Sequence, residues 1–428
     1  MDVQISKDEL KNYASKTTLN FHNLKIPFVS NLNEEPVAID VGYGGVKVFS
    51  MNGMHSFPSI IFKVKKDSTF LDSDTDIKYI DEEGNLWYIG DRARASLETG
   101  SKQIDADEFY SDRRLETDEF LILIRVAIYL GICKSDYKFS SKGKRIRICT
   151  GLPEEDVERD SAKLRKIISG HHYFKISIGG RDFVKVNFDI EEDDVEILSQ
   201  PQGTIYSMAF DLNGNIPRED LIIDKNVLVL DGGMFTFDTY LSNRADQGIS
   251  KTWEDFAMRE VHLHVRDIIK EKTGRYINEY DIEKYMLDER NPSTIRYDGN
   301  QRYYFGDDYL STVKKMAQSL VKKLKITYED FNDVDTVIVT GGTGKAYYPY
   351  LEELITVDEI MLAEINDSAL GKFDAIFSNV IGFFKFLVYL ISADTFNNEE
   401  VVMSKQENNI EEFQQNITKN ETASNEIG

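Results

Sequence analysis

Residues 38–47 read Ala-Ile-Asp-Val-Gly-Tyr-Gly-Gly-Val-Lys, and residues 228–238 read Leu-Val-Leu-Asp-Gly-Gly-Met-Phe-Thr-Phe-Asp. In both stretches an apolar run, typical of a buried strand, ends at an aspartate, and a second strand-like run follows a glycine-rich turn. Asp40 in the first stretch corresponds to Asp231 in the second. Two matching hairpins in one chain predict an α/β protein with two domains of related topology that face each other across a cleft.

The glycines and aspartates of these hairpins suit phosphate and metal binding. Glycines let backbone N–H groups approach a phosphate closely and converge on its oxygens. An aspartate would repel the phosphate unless a divalent cation lay between them, and Mg²⁺ needs only one or two carboxylates because it keeps most of its waters. Asp40 and Asp231 are therefore predicted to hold Mg²⁺ through water, and Lys47 to neutralise phosphate charge. One hairpin alone would favour an ordinary Asp-Gly turn, and the matching pair reverses that preference.

A third apolar run, Thr336–Thr340, also ends in glycines, in the order Gly341-Gly342-Thr343-Gly344. It lacks the spacing of a dinucleotide-binding G-x-G-x-x-G motif and of a G-x-x-x-x-G-K-[ST] phosphate loop. Its glycines would let the backbone lie flat against a base or reach an α-phosphate, and a plain glycine-rich strand-to-helix loop is the alternative. The candidate nucleotide-binding residues are those of the three turns: Asp40, Gly42, Tyr43, Gly44, Gly45 and Lys47; Gly232, Gly233, Met234 and Thr236; Gly341, Gly342, Thr343 and Gly344.

The composition excludes several classes of protein. The 428 residues include 51 Lys and Arg against 74 Asp and Glu, a formal net charge of −23. An acidic field of this size repels a phosphate backbone, so direct binding of nucleic acid is not expected. With 41% hydrophobic and 11% aromatic residues the chain can build folded cores, and its length predicts more than one domain.

Cysteine content and hydropathy predict a cytoplasmic protein. The two cysteines, Cys133 and Cys149, exclude a disulfide-rich scaffold and a four-cysteine zinc site. The N-terminus shows neither the basic nor the apolar segment of a secretory signal. The longest apolar stretches, around residues 120–132 and 380–392, are each interrupted by a basic residue and are shorter than the roughly 20 residues of a membrane span. No membrane partner is therefore expected.

The three motifs, in this order and spacing, resemble phosphate loop one, phosphate loop two and the adenosine loop of the actin-fold ATPase superfamily. Within it, residues 148–153 (Ile-Cys-Thr-Gly-Leu-Pro) and 378–383 (Ser-Asn-Val-Ile-Gly-Phe) resemble the bacterial, plasmid-encoded actin-like proteins of the ParM/Alp type. The resemblance covers roughly residues 36–394. It implies an actin-like α/β fold, with duplicated ribonuclease-H-like domains around a nucleotide cleft.

The resemblance also implies an activity and partners. Such proteins are filament-forming ATPases that move plasmid DNA apart through a small DNA-binding adaptor of the ParR type. For this chain it implies ATP, with GTP possible, together with Mg²⁺, self-association into filaments, and no direct contact with DNA. Thr343 stands where many relatives have a third glycine, and Glu254, Arg259 and Lys270 are the candidates to flank the base.

The resemblance places the catalytic water-orienting residue just before phosphate loop two, after a strand. The segment 196–204 (Glu-Ile-Leu-Ser-Gln-Pro-Gln-Gly-Thr) occupies that place, with Gln200 as the first candidate and Gln202 as the second. A glutamine is a weak base, but it can orient a water in line with a γ-phosphate. Asp231 is predicted to act in catalysis through Mg²⁺. The alternative for either glutamine is that it caps the following helix.

Two other classes share this cleft, the heat-shock-type chaperones and the small-molecule kinases. A chaperone needs a peptide-binding domain after the cleft, and a kinase commonly needs an aspartate base for its acceptor hydroxyl. A glutamine at the hydrolytic position favours water as acceptor, so the polymerising ATPase is preferred. The predicted organisation is an N-terminal extension 1–35, domain I 36–215 with an inserted subdomain at about 55–110, domain II 216–378, a C-terminal helix 379–394 returning to domain I, and an acidic, disordered tail 395–428.

Overall fold

A computed structural model describes residues 14–64, 72–97, 114–138, 143–243, 246–279, 281–367 and 370–395. The acidic segment after residue 395 and the first thirteen residues of the N-terminal extension lie outside these ranges. The prediction of a disordered tail is therefore not tested.

The described part of the chain forms strands and helices in alternation. The strands are β1 (Thr18–Phe21), β2 (Glu34–Val41), β3 (Val46–Ser50), β4 (Gly53–Phe57), β5 (Ile61–Val64), β6 (Ile77–Ile80), β7 (Leu86–Ile89), β8 (Arg145–Leu152), β9 (Gly170–Ile178), β10 (Val184–Ile190), β11 (Val195–Ser199), β12 (Asn226–Gly232), β13 (Phe237–Asn243), β14 (Asp246–Trp253), β15 (Thr294–Tyr297), β16 (Gln301–Tyr304), β17 (Thr336–Thr340), β18 (Glu359–Leu362), β19 (Ile365–Asp367) and β20 (Gly371–Phe373). The helices are α1 (Pro27–Asn31), α2 (Asp91–Leu97), α3 (Asp118–Ile132), α4 (Glu154–Ile168), α5 (Gln200–Ala209), α6 (Asp220–Ile223), α7 (Met258–Thr273), α8 (Asp281–Met286), α9 (Gly306–Thr327), α10 (Gly341–Leu354) and α11 (Ala375–Thr395, with a 3₁₀ first turn).

Two sheets of matching topology form the centres of the two domains. The first runs β4-β3-β2-β8-β11, with β1 added at its edge, and the second runs β14-β13-β12-β17-β18. In each, the first three strands are antiparallel and the last two are parallel to the central strand. The two halves are therefore equivalent strand for strand, as the repeated hairpin predicts.

The central strands are almost entirely buried because both of their faces are covered. β2 is buried from its second residue to its last, and β17 is buried throughout. In the second sheet Asp231 is the register partner of Thr340, so the aspartate that ends β12 lies beside the glycines that follow β17. This pairing brings two of the three predicted turns together at one edge of the sheet.

A third sheet extends from the first domain. It has the order β10-β9-β6-β7-β5, and its strands come from two distant parts of the chain, 61–89 and 170–190. The pair β6–β9 joins the two parts, with Ile77 opposite Ile178. The segment expected to form the inserted subdomain, 55–110, thus supplies β5, β6 and β7, and two later strands complete the sheet.

The described part of the N-terminal extension belongs to the first domain. Strand β1 pairs antiparallel with β4, with Thr18 opposite Ser56, and α1 follows before β2 begins. The short segment that precedes β1 continues toward the first hairpin turn. The extension is therefore part of the first sheet rather than a separate appendage.

Two helices differ in an informative way from sequence expectation. The helical spacing of apolar residues over 253–272 predicts a helix there, but the helix begins at Met258, because β14 continues through Trp253, which pairs with Phe237. The last helix, α11, is the one helix in the described residues that is long and apolar enough to cross a membrane. Of its most apolar 18 residues, 72% is buried inside the protein. The ring of Phe384 meets the ring of Phe49 in the first sheet edge-on, with the ring centroids 4.9 Å apart. Helix α11 is thus a core helix of this fold.

Candidate functional site

A cavity of about 560 Å³ lies between the two domains. This volume is in the range that small-molecule sites occupy. The residues predicted in the two hairpins, in the third glycine-rich turn and at the two glutamine positions all line it, except Gln202 and Gly344. Further parts of its wall come from the N-terminal segment, the start of α4 and the start of α11. The structure therefore brings the three glycine-rich turns together around one space.

The two hairpin turns have the same backbone hydrogen bond at corresponding positions. The Gly42 N–H donates to the Gly45 carbonyl at 3.1 Å, and the Gly233 N–H donates to the Thr236 carbonyl at 2.8 Å. The register is also the same, because Asp40 opposes Lys47 and Asp231 opposes Asp238 across their hairpins. Each of these hydrogen bonds closes its own turn. The backbone N–H groups inside each turn, between residues 42 and 45 and between residues 233 and 236, are therefore the ones placed to meet a phosphate.

The tips of the two hairpins touch each other. A Cβ atom on Gly44 would lie 3.0 Å from the Cβ of Met234, closer than such atoms normally approach, so Met234 would have to shift to admit a side chain there. Beside this contact, the rings of Tyr43 and Phe235 meet edge-on with their centroids 5.9 Å apart. The cavity is therefore closed on this side by a direct contact between the domains.

Asp40 is buried and receives two donors. Its side chain is only 4% exposed; Lys47 Nζ lies 3.3 Å from Oδ2, and Gln200 Nε2 donates to Oδ1 at 3.0 Å. An ammonium and an amide together compensate the burial of this carboxylate. Lys47 thus stands beside Asp40, and Gln200 reaches the same carboxylate from the start of α5.

Asp231 lies in a less compensated environment. Asn379 Nδ2 donates to its Oδ2 at 2.9 Å. Burial raises the pKa of Asp231 to about 6, with Asp238 and Asp40 adding to the rise and the Asn379 hydrogen bond and Lys47 opposing it. The site therefore holds a carboxylate whose negative charge would be stabilised by an added cation.

The residue that corresponds to Lys47 in the second hairpin is an acid. Asp238 accepts hydrogen bonds from Thr236 at 2.8 Å and from Thr252 at 2.7 Å, and burial raises its pKa. The Thr252 hydroxyl is also 2.7 Å from Glu155 at the start of α4. The second hairpin thus contacts the first domain through hydroxyl and carboxylate groups.

The predicted adenosine loop is the first turn of α10. Gly341 has φ +78°, and a Cβ there would lie 2.3 Å from the Gly232 carbonyl oxygen, so only glycine fits. The Thr343 hydroxyl donates to the Gly233 carbonyl at 2.6 Å, which ties the helix to phosphate loop two. The N-terminus of α10, with its unpaired N–H groups and positive dipole end, therefore lines the cavity. Gly344 lies behind it, packed against Val339.

The two candidate glutamines have different roles in the structure. Gln200 lines the cavity and holds Asp40. Gln202 forms a capping box with Ser199: its Oε1 accepts the Ser199 N–H at 3.0 Å, and the Ser199 hydroxyl accepts the Gln202 N–H. The capping alternative that we stated for either glutamine thus describes Gln202.

Several residues of the cavity were not identified from the sequence. Asn379 bridges the domains, because its Nδ2 donates to Asp231 while its Oδ1 accepts from Thr204 on α5. On the adenosine-loop side, Lys345 forms an ion pair with Asp374 in the cavity wall. The candidates to flank the base, Glu254, Arg259 and Lys270, do not line the cavity. Asn379 lies in the segment 378–383 that carries the family resemblance, which was the available signal.

The charges of the wall suit a phosphate bound together with a divalent cation. Seven acidic and five basic side chains line the cavity: Asp40, Asp156, Asp160, Asp231, Asp238, Glu283 and Asp374, and Lys16, Lys47, Arg114, Arg159 and Lys345. A polyphosphate alone would be repelled by this acidic excess. In the described residues no three His, Cys, Asp or Glu side chains converge as a ready-made metal site. Two carboxylates without a closed cage fit Mg²⁺ held through water and phosphate oxygens.

Comparison with known proteins agrees with this architecture. Residues 38–203 match the family of actin-like protein N-terminal domains. No curated protein sequence matches the chain.

Solved structures of actin homologues have the same fold. The chain is 22% identical to the protein in a 15-stranded ParM filament from Clostridium botulinum, with TM-score 0.62 over 83% of this chain and 99% of that chain. It is 14% identical to the actin-like protein Alp7A, with TM-score 0.59 over 86% and 99%. An archaeal actin homologue in complex with ADP is 15% identical, with TM-score 0.57 over 82% and 98%.

These findings confirm the predicted fold and the resemblance stated from the sequence. Residues 38–203 match the actin-like N-terminal domain family, and the chain has the actin-like fold of the solved ParM and Alp structures.

Proposed function

We propose that this protein is a cytoplasmic, polymerising actin-like nucleotidase. In this proposal it binds ATP, or GTP, with Mg²⁺ in the cavity between its domains, assembles with copies of itself into filaments, and hydrolyses the nucleotide to turn the filaments over. The filaments would move plasmid DNA through a small DNA-binding adaptor of the ParR type.

The observation that carries the proposal is the pair of matched hairpins on opposite sides of one cavity. Each presents an aspartate at the end of a buried strand and a glycine-rich turn beside it. The N-terminus of α10 adds a third surface for an anion. Three phosphate- or nucleotide-facing elements that converge on 560 Å³ support a nucleoside triphosphate as the ligand.

The chain's own residues would perform distinct tasks in hydrolysis. Asp40 and Asp231 would hold Mg²⁺ through water, and the cation would neutralise charge on the phosphates when it is bound. Lys47, at 3.3 Å from Asp40, is placed to balance charge on the first-domain side. Gln200 is anchored to Asp40 through its amide nitrogen, which would leave its amide oxygen to orient an attacking water.

Polymerisation is supported by the fold shared with filament-forming neighbours. A 15-stranded ParM filament from Clostridium botulinum and an Alp12 filament have this fold, with TM-scores of 0.62 and 0.53. The net charge of −23 supports movement of DNA without direct contact, since a basic adaptor would bridge the acidic filament and the DNA.

Sedimentation with Mg-ATP, with Mg-GTP and without nucleotide tests assembly, and phosphate release in the same samples tests hydrolysis. We expect nucleotide-dependent pelleting and phosphate release, and we expect Asp231→Ala to abolish release. Absence of a pellet under all conditions over a wide protein concentration range would contradict assembly. An unchanged rate of phosphate release in Asp231→Ala would contradict the role of that carboxylate. A kinase of the same superfamily would release little phosphate in the absence of its acceptor.

A further inference from the structure

The segment Ala14–Thr18, which precedes the first strand, forms part of the cavity wall. Ala14, Ser15, Lys16 and Thr18 line the cavity together with the three glycine-rich turns. Ala14 and Thr17 are buried, although they precede the repeated core of the fold. The backbone hydrogen bonds that close the two hairpin turns, Gly42 to Gly45 and Gly233 to Thr236, do not involve this segment. Its position therefore calls for an explanation of its own.

On its first-domain side the segment is wedged between phosphate loop one and the start of α2. The Ser15 hydroxyl donates to the Gly44 carbonyl at 3.3 Å, and the Thr17 N–H donates to Asp91 Oδ2 at 2.6 Å. A Cβ on Gly90 would lie 2.9 Å from the Thr17 hydroxyl, so the chain approaches this turn closely. The segment thus connects the loop tip with the inserted sheet.

On its other side the segment is held by Arg94, which also forms an ion pair with a residue of the second domain. Arg94 on α2 donates from Nη1 to the Ser15 carbonyl at 2.9 Å, and its Nη2 lies 3.4 Å from Glu283 Oε2 on α8. The Ser15 backbone N–H also interacts with the Glu283 carboxylate. Ser15 is therefore held between a residue of the first domain and a residue of the second.

The contact is shielded from water, which increases its strength. The side chains of Arg94 and Glu283 are 19% and 13% exposed. Burial raises the pKa of Glu283, and Arg94 and the Ser15 hydrogen bond oppose the rise. An ion pair in such surroundings is screened less by salt than a surface pair. Opening the domains here would separate both the charges and the backbone contact.

We propose that Ala14–Thr18 is a clasp that joins the two domains beside the cavity and slows the exchange of bound nucleotide. In the clasped state Ser15 is fixed by Gly44, Arg94 and Glu283 at once. Release of Glu283 lets the second domain move away from the inserted sheet. The exchange part of this proposal rests on the proposed function, whereas the joining of the domains does not.

Two variants test the clasp, and one serves as a matched control. Arg94→Ala removes both clasp contacts of the guanidinium, and Glu283→Gln keeps the shape while removing the charge. Arg266→Ala is the control, because Arg266 is 20% exposed and pairs with Glu279 at 3.5 Å inside the second domain.

Each of these three variants, and the wild-type protein, is combined with Glu83→Cys and Glu289→Cys, which put spin labels on exposed positions of the two domains. The native cysteines, Cys133 and Cys149, are buried and would not compete for the label.

The first measurement is the distance between the labels by pulsed electron paramagnetic resonance in nucleotide-free protein. We expect a broader distribution with longer distances in both clasp variants, and the wild-type distribution in Arg266→Ala. The second is the dissociation rate of a fluorescent ATP analogue with Mg²⁺, which we expect to rise roughly three- to tenfold in the clasp variants alone.

The outcomes separate the clasp from the proposed function. Unchanged label distances in both clasp variants would overturn the clasp. Changed distances with an unchanged dissociation rate would overturn its role in exchange. If wild-type protein binds neither fluorescent ATP nor fluorescent GTP, the proposed function fails, and the label distances alone decide whether the domains are clasped.

Discussion

At the scale of single residues, Asp231 shows how a functional group is held at a cost to the fold. Burial raises the pKa of Asp231 from the ordinary carboxyl value of 3.8 to about 6. The folded protein therefore binds this proton more tightly than the unfolded chain does. As far as this group is concerned, the free energy of unfolding is greatest below pH 3.8 and falls as the pH rises through about 6. A bound cation would offset the loss.

Asp231→Asn should therefore stabilise the protein without nucleotide. The amide keeps the shape of the carboxylate and its contact with Asn379 but carries no charge. Near pH 8 we expect the free energy of unfolding to increase by about 1–3 kcal/mol, from a shift of roughly two pKa units. Chemical denaturation with a chelator at pH 8 and pH 4.5 checks this. A variant that gains no stability at pH 8, or gains as much at pH 4.5, would contradict the raised pKa.

The two glutamines of α5 provide a matched pair of substitutions. Gln200→Ala should slow phosphate release about a hundredfold and leave nucleotide binding and assembly intact, because it removes the group placed to orient water. Gln202→Ala should lower the free energy of unfolding by about 0.5–1 kcal/mol through loss of the capping box and leave phosphate release per folded molecule unchanged. Release assays and denaturation of both variants distinguish them. The reverse pattern would show that Gln202 is the water-orienting residue.

The roles of Gln200 and Gln202 differ in how far the sequence alone could assign them. Both occur in one short segment, and the resemblance alone did not separate them. The pattern Ser199-x-x-Gln202 is itself a capping-box signature, so the sequence contained the information that assigns Gln202 to the helix end. Asn379 could not be assigned in this way, because its partners, Thr204 and Asp231, are 175 and 148 residues away.

At the scale of helices and strands, local sequence was sufficient to predict an element where the residues of a turn determine the geometry of that turn. The two hairpins were predicted because aspartate and glycine sit at fixed positions in each turn. The pairings of β1 with β4 and of β9 with β6 join segments that are distant along the chain, and the sequences of these strands do not indicate those partners. The predicted start of α7 was wrong for another reason, because pairing with β13 keeps Trp253 in a strand.

The crossing of α5 and α11 gives an element-scale prediction. A Cβ on Gly382 would lie 1.7 Å from the Gly203 carbonyl oxygen, so the two helices meet backbone to backbone. Gly382→Ala should lower the free energy of unfolding by about 3 kcal/mol, since one of the helices must move. Gly342→Ala is the control, because no atom lies within 4 Å of the added carbon. Equal stability of the two variants in denaturant titrations would show that the crossing tolerates separation.

At the scale of the whole molecule, the repeated hairpin predicted the fold, and the amino-acid composition gave the net charge. Two copies of one hairpin were enough to predict two related domains, and the matched order of the two sheets confirms this. The third sheet was only partly foreseen, because it combines segments about 80 residues apart in the chain, 61–89 and 170–190. The sequence therefore predicted the two matched sheets of the core better than it predicted the third sheet.

The net charge predicts how assembly should depend on salt. Acidic monomers repel one another, and salt screens that repulsion over about 10 Å at 0.1 M. We expect the critical concentration for sedimentation to fall as monovalent salt or Mg²⁺ increases. Residues 397–428 contain seven Glu and two Lys, a net charge of −5.

Removing the residues after 394 should therefore lower the salt requirement for assembly. A full-length variant with those seven glutamates changed to glutamine separates charge from length, and it should behave like the truncation. An unchanged critical concentration at low salt in both would contradict a role for the tail charge.

The two hairpins differ in the residue opposite each aspartate, Lys47 opposite Asp40 and Asp238 opposite Asp231, and this difference breaks the symmetry of the duplicated core. Two identical halves would present the same surface to either end of a ligand and could accept it in two opposite orientations. With a cation on one side and an acid on the other, those orientations differ in energy. On the proposed function, this difference favours one direction for every bound nucleotide, and so gives each subunit a defined front and back.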